Sequence, residues 1–430
     1  MSVFKNIKKI ISSEFFKHSA ALLSSNAIAQ LTGILIYPVI TRLYSPEAFG
    51  EFNWLLSVTG VLSLFCTGRY GLAIVLSKSK QECAALFQLC MFLNLVVFFL
   101  SFLIILTGKT EIAACFDRNN LLSLLPFIPF ILLLSGLWET LDHFFIHRKQ
   151  YYAISVYNIM QSVGSSALKC LFGIKGFFQP GLIWGTILGR LVAIIAGVVA
   201  CKSWMKELAK INLPQIKQVA KTYANFPKFE MPHSLLNMSA NNLPVLLLSF
   251  YFGMEEIGLF SLAMILGFRP VFLFTSSIHQ VLFRRASERV QKKEKIKGEC
   301  VLFCKMCLTF ILPAFVFILF IPGEVFAVLF GSKWAGVDFY LKLLLPGLFM
   351  SVIVASLAFV PDIFFKQKIT MNIEIAHVIL KAAALLSGIY FRDFNLAIIL
   401  YCCVIPLIYT IRLIWYFHLI REYESSIARP

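Results

Sequence analysis

Three basic residues lie deep within long apolar runs of this sequence: Arg190, Arg269 and Lys381. A charged side chain at the centre of a membrane helix raises the free energy of insertion by roughly 2.5 to 3.5 kcal/mol. Such residues usually face a bundle interior or a water-filled cavity and mark a transport pathway. Because the sequence has few acidic residues at comparable depth, the pattern favours an anionic ligand. The planar guanidinium fork suits phosphate oxygens in particular.

Two further cations, Arg69 and Lys169, lie nearer the ends of their apolar segments. Pro270 directly follows Arg269, and a proline within a helix frees a backbone carbonyl and kinks the helix. We therefore predict an anion-binding site led by Arg269, to which the other four cations contribute. The structural alternative is that each cation pairs with a carboxylate and holds helices together.

Two clusters of histidine and carboxylate residues have spacings that could serve chemistry. ETLDHFFIH places Glu139, His143 and His147 on one helical face, a spacing compatible with metal binding. We interpret it as a polar collar at the end of an apolar segment. Glu374 and His377 have the residue types of a proton shuttle, and we interpret them as a polar pair at a helix end. The sequence thus predicts no metal site and no cofactor.

Motifs of enzymes that handle nucleotides or acyl groups are missing. The sequence contains neither G-x-x-x-x-G-K-[ST] nor G-x-S-x-G. Its five aspartates lie far apart, which rules out a D-x-D motif for a metal–nucleotide complex. The eleven cysteines lie mostly inside apolar runs and are expected to be small packing residues. The sequence therefore does not predict an enzyme.

The composition indicates an all-α integral membrane protein. Of the 430 residues, 59% are hydrophobic and 14% are charged, whereas a soluble domain has about 25% charged residues. A helix needs about 20 apolar residues to cross a bilayer, and twelve segments meet this requirement. They are residues 19–41, 51–76, 84–107, 121–143, 152–173, 178–201, 233–252, 257–283, 300–322, 341–362, 369–390 and 394–419.

Lysine and arginine alternate between the two sets of loops that these segments create. One set, which includes both termini, carries 25 of them and the other carries six. The positive-inside rule then places both termini in the cytoplasm. This placement explains most of the net charge of +17. The basic face is expected to meet anionic lipid headgroups and not nucleic acid.

The chain divides by pattern into two similar halves. We predict an amphipathic segment at 1–18, a six-helix bundle at 19–201, an amphipathic cytoplasmic linker at 202–232 and a second six-helix bundle at 233–430. RLYSPEAFGEFNWLL in the first half is similar to FYFGMEEIGLFSLA in the second. Six spans per half make the halves parallel repeats, and such repeats bind substrate between them near mid-membrane.

The stretch from Ala21 to Leu76 resembles the opening two spans of polysaccharide flippases, the Wzx-type transporters of repeat units. The likeness lies in Gln30, Pro38, the turn RLYSPEAFGEF and the run GRYGLA. The resemblance implies two bundles around a central cationic cavity. It also implies that the chain is a bacterial inner-membrane protein that turns over a polyprenyl-pyrophosphate-linked oligosaccharide for O-antigen or capsule assembly. A complex with a polysaccharide polymerase is compatible with it.

On this reading, the cations bind the pyrophosphate while the prenyl tail stays in lipid. Five amides are expected to contact the sugars: Asn26, Gln30, Asn237, Asn241 and Asn242. Two alternatives remain. A cation-coupled drug exporter of the same fold would need cavity carboxylates, and a membrane polymerase or glycosyltransferase would need a larger external loop than residues 323–340 provide.

Overall fold

The computed structural model of the protein describes residues 30–116, 122–177, 180–200 and 213–427. These residues form helices joined by short connections, and no strand occurs among them. The predicted all-α class is therefore confirmed for this part of the chain. The amphipathic segment at 1–18 and Asn26 lie outside the described residues.

Residues 30–35 are helical, and seventeen α-helices follow in the described part of the chain. The helices of the first part are α1 Tyr37–Leu43, α2 Pro46–Thr67, α3 Tyr70–Leu76, α4 Lys80–Phe116, α5 Phe127–His147, α6 Tyr151–Ile174, α7 Pro180–Ala200, α8 Leu213–Thr222 and α9 Met231–Leu248. Those of the second part are α10 Met254–Gln291, α11 Lys297–Met306, α12 Leu312–Phe320, α13 Gly323–Phe330, α14 Val337–Ser356, α15 Val360–Ile363, α16 Gln367–Tyr390 and α17 Phe394–Ile427. Two π-helical turns, Phe226–Glu230 and Cys307–Ile311, continue directly into α9 and α12.

Nine helical segments of the described chain are long and apolar enough to cross a membrane. Each coincides with one of the twelve predicted spans. The remaining three predicted spans begin at residues 19, 152 and 233. The first starts outside the described residues, and the other two correspond to α6 and α9, which carry several amide and hydroxyl side chains. A multi-pass membrane protein is thus confirmed, whereas the twelve-span layout in two bundles stays a prediction.

The chain forms two compact units, Met1–Leu246 and Leu247–Pro430. In the first unit, α6 and α7 approach closely because glycines of α7 face α6. A Cβ on Gly189 would lie 2.5 Å from the Cα of Ser165, and one on Gly185 would lie 2.8 Å from the backbone nitrogen of Lys169. Small residues allow such backbone contact between membrane helices. This contact sets the backbone positions of Lys169, which takes part in it, and of Arg190, which follows Gly189.

The segment that precedes α9 is held on the first unit by polar contacts. The Tyr223 hydroxyl donates to Glu82 Oε1 of α4 over 3.0 Å, and the Tyr70 hydroxyl of α3 donates to the carbonyl of Ala220, also over 3.0 Å. Burial, together with the Glu82 hydrogen bond, raises the pKa of Tyr223. Residues 213–230 are therefore an integral part of this unit's structure. The linker predicted at 202–232 is a finer division of the chain and stays a prediction.

Glycines bring helices of the second unit close together as well. A Cβ on Gly267 of α10 would lie 2.6 Å from Leu348 Cδ1 of α14, and a Cβ on Gly388 of α16 would overlap Ala397 of α17. Between α10, α14 and α17 lies an apolar core that includes Cys300 and Cys307 of the intervening segment. These two cysteines are buried, as expected of apolar packing residues.

Candidate functional site

Arg69 stands at a sharp turn between α2 and α3. Gly68 and Arg69 both adopt the left-handed conformation, with φ of 53° and 63°. The turn directs the guanidinium toward two carboxylates: Nη1 lies 3.4 Å from Glu139 Oε1 of α5, and Nη2 lies 3.6 Å from Glu230 Oε1. Arg69 is thus the shared partner of two acidic side chains. The sequence singled out Arg69 as a ligand for an anion but gave no sign of its pairing with Glu230.

Arg190 of α7 contacts the same face of α5. Its Nη1 donates to Ser135 Oγ over 2.7 Å, and Ser135 precedes Glu139 by one helical turn. The guanidinium Nε is buried without a hydrogen-bond partner among the described residues. The face of α5 that includes Ser135 and Glu139 therefore positions both Arg69 and Arg190 in the first unit.

Asp142 of α5, the next carboxylate after Glu139, is engaged elsewhere. It accepts a hydrogen bond of 2.7 Å from the Tyr157 hydroxyl of α6. The Tyr157 ring packs on Trp138 with 4.1 Å between ring centroids. Asp142 is therefore held by Tyr157, and the contact of Arg190 with α5 is to a neutral hydroxyl.

Lys169 of α6 lies against aromatic rings of the first unit. Its Nζ is 5.0 Å from the centroid of the Phe52 ring, within the range of a cation–π contact. Its carbonyl accepts a hydrogen bond of 2.6 Å from the Tyr44 hydroxyl. Lys169 therefore takes part in packing α6 against Tyr44 and α2.

The histidines of the ETLDHFFIH cluster each have a separate protein partner. His143 Nδ1 lies 2.7 Å from the Glu139 carbonyl oxygen, which accepts. His147 Nδ1 lies 3.4 Å from Ser77 Oγ. The Glu139 carboxylate is directed to Arg69. In the described part of the chain no group of three or more His, Cys, Asp and Glu side chains is arranged to hold a metal ion.

The amides predicted to contact sugars lie mostly on α9. Asn241 Nδ2 donates to Asn237 Oδ1 over 2.9 Å, and both residues are exposed. Asn242 Nδ2 donates to the Met238 carbonyl over 2.8 Å. Gln30 is half-buried at the start of the described residues. Asn237 and Asn241 thus form an exposed amide pair one turn apart, a suitable surface for hydroxyl groups.

Arg269 lies in the middle of α10, directly before Pro270, and both residues are exposed. Pro270 has no N–H and its ring displaces the carbonyl of the residue four positions earlier, so a kink is expected here. Three cations lie deep in predicted spans. Of these, Arg190 is half-buried and Lys381 is buried, whereas Arg269 is exposed. Arg269 therefore differs from the rest in its accessibility.

Lys381 belongs to a buried polar cluster between α16 and α17. It is 9% exposed, and its Nζ lies 5.5 Å from the centroid of the Tyr401 ring. One turn earlier, His377 is 2% exposed, and its Nδ1 lies 3.8 Å from Glu374 Oε1. Glu374 also forms an ion pair with Arg412 Nη2. The predicted Glu374–His377 pair is present, and Arg412 is the member that the sequence did not assign to it.

The spacing of this cluster was available in the sequence. Residues 374, 377 and 381 recur at intervals of three and four, which places them on one face of a helix. The identity of Arg412 as the partner required the α16–α17 packing at Gly388 and Ala397. The described residues thus form a polar cluster in each unit, around Arg69 in the first and around Glu374 in the second.

The comparisons with known proteins agree with this description. Residues 39–338 match the family described as "Polysaccharide biosynthesis protein". The succinoglycan biosynthesis transport protein ExoT of Rhizobium meliloti (strain 1021) is 20% identical over 299 residues, which is 69% of this chain and 59% of the relative. The chain therefore spans less than two thirds of the length of that relative.

Solved structures show where else this fold occurs. The lipid II flippase MurJ in an inward closed conformation has a TM-score of 0.69 at 13% identity, over 94% of this chain and 90% of that one. An inward-facing multidrug resistance MATE family transporter of the MOP superfamily has a TM-score of 0.66 at 14% identity, over 93% and 96% of the two chains. At these identities the likeness concerns the fold. The family match covers more than half of the sequence, and the chain belongs to the polysaccharide biosynthesis protein family.

Proposed function

We propose that the protein is a flippase that moves a polyprenyl-pyrophosphate-linked oligosaccharide repeat unit across the cytoplasmic membrane of a bacterium for surface polysaccharide assembly. Arg269 binds the pyrophosphate, and alternating access of the two units carries the headgroup across. The chain itself makes and breaks no covalent bond. Family membership and the fold shared with a lipid II flippase support this proposal.

The observation that carries the proposal is the exposure of Arg269 at mid-helix. An arginine at this depth in a span usually faces a wet cavity and marks a transport pathway, and the exposed side chain of Arg269 is accessible to a ligand there. A pyrophosphate meets that requirement with oxygens that accept charge-assisted, bidentate hydrogen bonds. In a poorly hydrated site such bonds are stronger than in water.

The other predicted ligands contribute less directly than Arg269 to binding of the pyrophosphate. Arg69 is already shared by Glu139 and Glu230, so it contributes mainly by holding the first unit together. Arg190 and Lys381, whose contacts are to a hydroxyl and an aromatic ring, add positive potential to the site. The exposed amides of α9 contact sugar hydroxyls.

The charge pattern sets the orientation of the proposed transporter. With 25 cations in one set of loops and six in the other, both termini face the cytoplasm. The substrate is then loaded from the inner leaflet, where basic loops attract anionic lipid headgroups. A polysaccharide polymerase is the protein partner that such a product would require.

A drug exporter of the same fold is the alternative that the MATE likeness raises. Cationic drugs would need accessible carboxylates. The acidic side chains Glu139 and Glu374 lie beside arginines, and Asp142 is held by Tyr157. The described structure therefore favours an anionic substrate.

The experiment is export of surface polysaccharide in a deletion strain complemented with Arg269 variants and normalised to protein in the membrane. Arg269→Ala removes a charge-assisted hydrogen bond of roughly 1.5 to 3 kcal/mol, so affinity for the lipid-linked substrate should fall by about one to two decades. Arg269→Lys keeps the charge without the fork and should be intermediate. Arg269→Glu repels the pyrophosphate and should abolish export.

Arg284→Ala is the matched control, because Arg284 lies on the same helix and is exposed beside Glu288. It should export as well as the unmodified protein. Normal export by Arg269→Glu at equal membrane level would refute the proposal at its centre.

A further inference from the structure

The second unit contains a partly open apolar cavity of about 260 Å³, to which α10 contributes Leu266 and Pro270, the residues on either side of Arg269 in the cavity lining. Its wall consists of three helical segments: α10, the π-turn with α12, and α14. The side chains that line it are Leu266, Gly267, Pro270, Val271, Phe274, Ile311, Phe315, Ile318, Leu341, Leu345, Leu348 and Val352. None of them carries a polar group. Polar ligands are therefore excluded from the cavity itself.

Irregular backbone in all three walls accounts for the space. Pro270 lies inside α10, Pro346 lies inside α14, and Pro313 begins α12 directly after the π-turn Cys307–Ile311. Prolines and π-turns bend helices away from regular packing. Just before the bend, α10 and α14 touch closely at Gly267. The helices thus meet tightly at Gly267, and the cavity lies where the three irregular segments face one another.

The cavity has a sealed back and an accessible rim. Leu345, Leu348 and Val352 of α14 are buried, whereas Pro270 and Phe274 of α10 are exposed. Arg269, the residue before Pro270, is exposed as well. Leu266, which lines the cavity, lies one helical turn before Arg269 on neighbouring faces of α10, so a cation lies next to the Leu266 side of an apolar cavity. This arrangement complements an amphiphile whose anionic group is joined directly to a hydrocarbon chain.

The size of the cavity limits how much of such a chain it holds. An apolar cavity of about 150 Å³ binds a six-carbon ring such as benzene. A cavity of about 260 Å³ therefore accommodates roughly ten carbons, which is about two isoprene units. The remainder of a long tail has to stay in the bilayer.

The cavity adds little to the affinity of the protein for a lipid tail. Lipid tails are as apolar as leucine side chains, so moving a tail from lipid to the cavity has little hydrophobic driving force. The gain comes from van der Waals fit, which favours a chain with methyl branches that fill a wide, short space. The cavity would thus select chain shape and fix the position of the attached pyrophosphate.

We propose that this cavity holds the first isoprene units of the lipid carrier, those next to the pyrophosphate, while Arg269 binds the phosphate oxygens. The inference rests on the proposed flippase function and names its tail site. It replaces the expectation that the whole prenyl tail stays in lipid.

The first test is binding of a long-chain polyprenyl pyrophosphate to purified protein in vesicles of phosphatidylethanolamine and phosphatidylglycerol. Val271→Phe fills the cavity, and Val281→Phe is the matched control because Val281 is an exposed valine of the same helix that does not line it. We expect Val271→Phe to weaken binding about tenfold, equivalent to about 1.4 kcal/mol, with inorganic pyrophosphate binding unchanged. A straight-chain alkyl pyrophosphate of equal carbon number should bind more weakly to the unmodified protein.

A second test does not depend on the folding of Val271→Phe. The photoreactive residue p-benzoylphenylalanine replaces either Phe274, at the rim, or Phe283, which is exposed on the same helix outside the lining. Polyprenyl pyrophosphate should crosslink preferentially at position 274, in competition with the bilayer lipids. Equal crosslinking at both positions, or equal binding by the Val271→Phe and Val281→Phe variants, would show that bulk lipid fills the cavity and would overturn the inference.

The inference and the proposed function fail in different ways. If Arg269→Glu exports normally but crosslinking still prefers position 274, the tail site stands and the pyrophosphate role of Arg269 is wrong. If Arg269→Ala loses inorganic pyrophosphate binding while crosslinking shows no preference, the headgroup role stands and the tail site is wrong.

Discussion

Arg69 in the first unit and Arg269 in the second are both arginines within predicted membrane segments, yet their surroundings differ. Arg69 is half-buried at a left-handed turn and lies between the carboxylates of Glu139 and Glu230. Arg269 lies in mid-helix, exposed, beside a proline and an apolar cavity. The depth of an arginine in the sequence therefore does not determine its role. Its partners and accessibility do.

The second unit contains its own counterpart of Arg69. Arg412 is half-buried in α17 and forms an ion pair with Glu374 of α16. Each unit thus contains, within a predicted span, an arginine that joins two segments through a carboxylate. Arg69 and Arg412 therefore take part in helix packing, whereas the substrate role belongs to Arg269 in the function proposed above.

The largest effect on stability should come from Arg69→Met. It leaves two carboxylates without their cation, and removal of one partner of a buried pair costs about 3 to 5 kcal/mol. Because these side chains are 22%, 19% and 40% exposed, solvent screening lowers the expected loss to about 2 kcal/mol. Thermal unfolding in detergent should show a lower midpoint for Arg69→Met, whereas Arg269→Met should unfold like the unmodified protein.

The double variant Arg69→Met with Glu139→Gln is the control for this prediction. It removes one of the uncompensated charges and should recover part of the lost stability. Equal destabilisation by Arg69→Met and Arg269→Met would break the comparison, because both arginines would then be structural.

A smaller effect is expected at Lys381, which belongs to the second unit's polar cluster. Among the described residues no carboxylate oxygen lies within ion-pair distance of its Nζ, and its contact is the Tyr401 ring. Replacing a desolvated charge by a residue of similar volume is often neutral or stabilising. Lys381→Met should therefore keep or raise thermal stability.

Measuring polysaccharide export distinguishes an electrostatic role of Lys381 in the site from a structural role in the fold. If it adds positive potential to the site, Lys381→Met should reduce polysaccharide export, but less than Arg269→Ala does, because its ammonium is buried. Loss of folded protein in Lys381→Met would instead make it a structural partner of Glu374, like Arg412.

Hydropathy predicted where helices lie far better than where they end. The sequence predicts the eighth segment at 257–283, whereas α10 runs from Met254 to Gln291. The extra turns contain Arg284, Arg285 and Arg289, and polar residues continue a helix without adding hydropathy. The length of an apolar run reflects the thickness of the hydrocarbon core, whereas the helix itself can extend further.

The polar contacts were less predictable than the helices. Spacing indicated that Glu374, His377 and Lys381 share a face, since that relation is local. The pairing of Arg69 with Glu230 joins positions on separate helices of one unit, and no periodicity connects them. The apolar cavity could not be predicted from the sequence either, because the segments that contain Pro270, Pro313 and Pro346 come together only when α10, α12 and α14 pack.

The smallest effect is expected from the histidines of the first unit. The sequence grouped Glu139, His143 and His147 as one collar, but the structure separates Glu139, which pairs with Arg69. His143 Nδ1 contacts only the carbonyl of its own helix one turn earlier among the hydrogen bonds described, and His147 Nδ1 lies near Ser77 Oγ at 3.4 Å.

Removing either ring breaks one neutral hydrogen bond, worth about 0.5 to 1.5 kcal/mol. His143→Ala and His147→Ala should therefore export polysaccharide at nearly the normal level, whereas Glu139→Ala should lose stability in parallel with Arg69→Met. The measurement is export per membrane-inserted protein, with added Zn²⁺ and with a chelator as two further conditions. A His143→Ala variant that inserts normally but exports nothing, or export that depends on the metal, would show that this face of α5 does more than hold Arg69 in place.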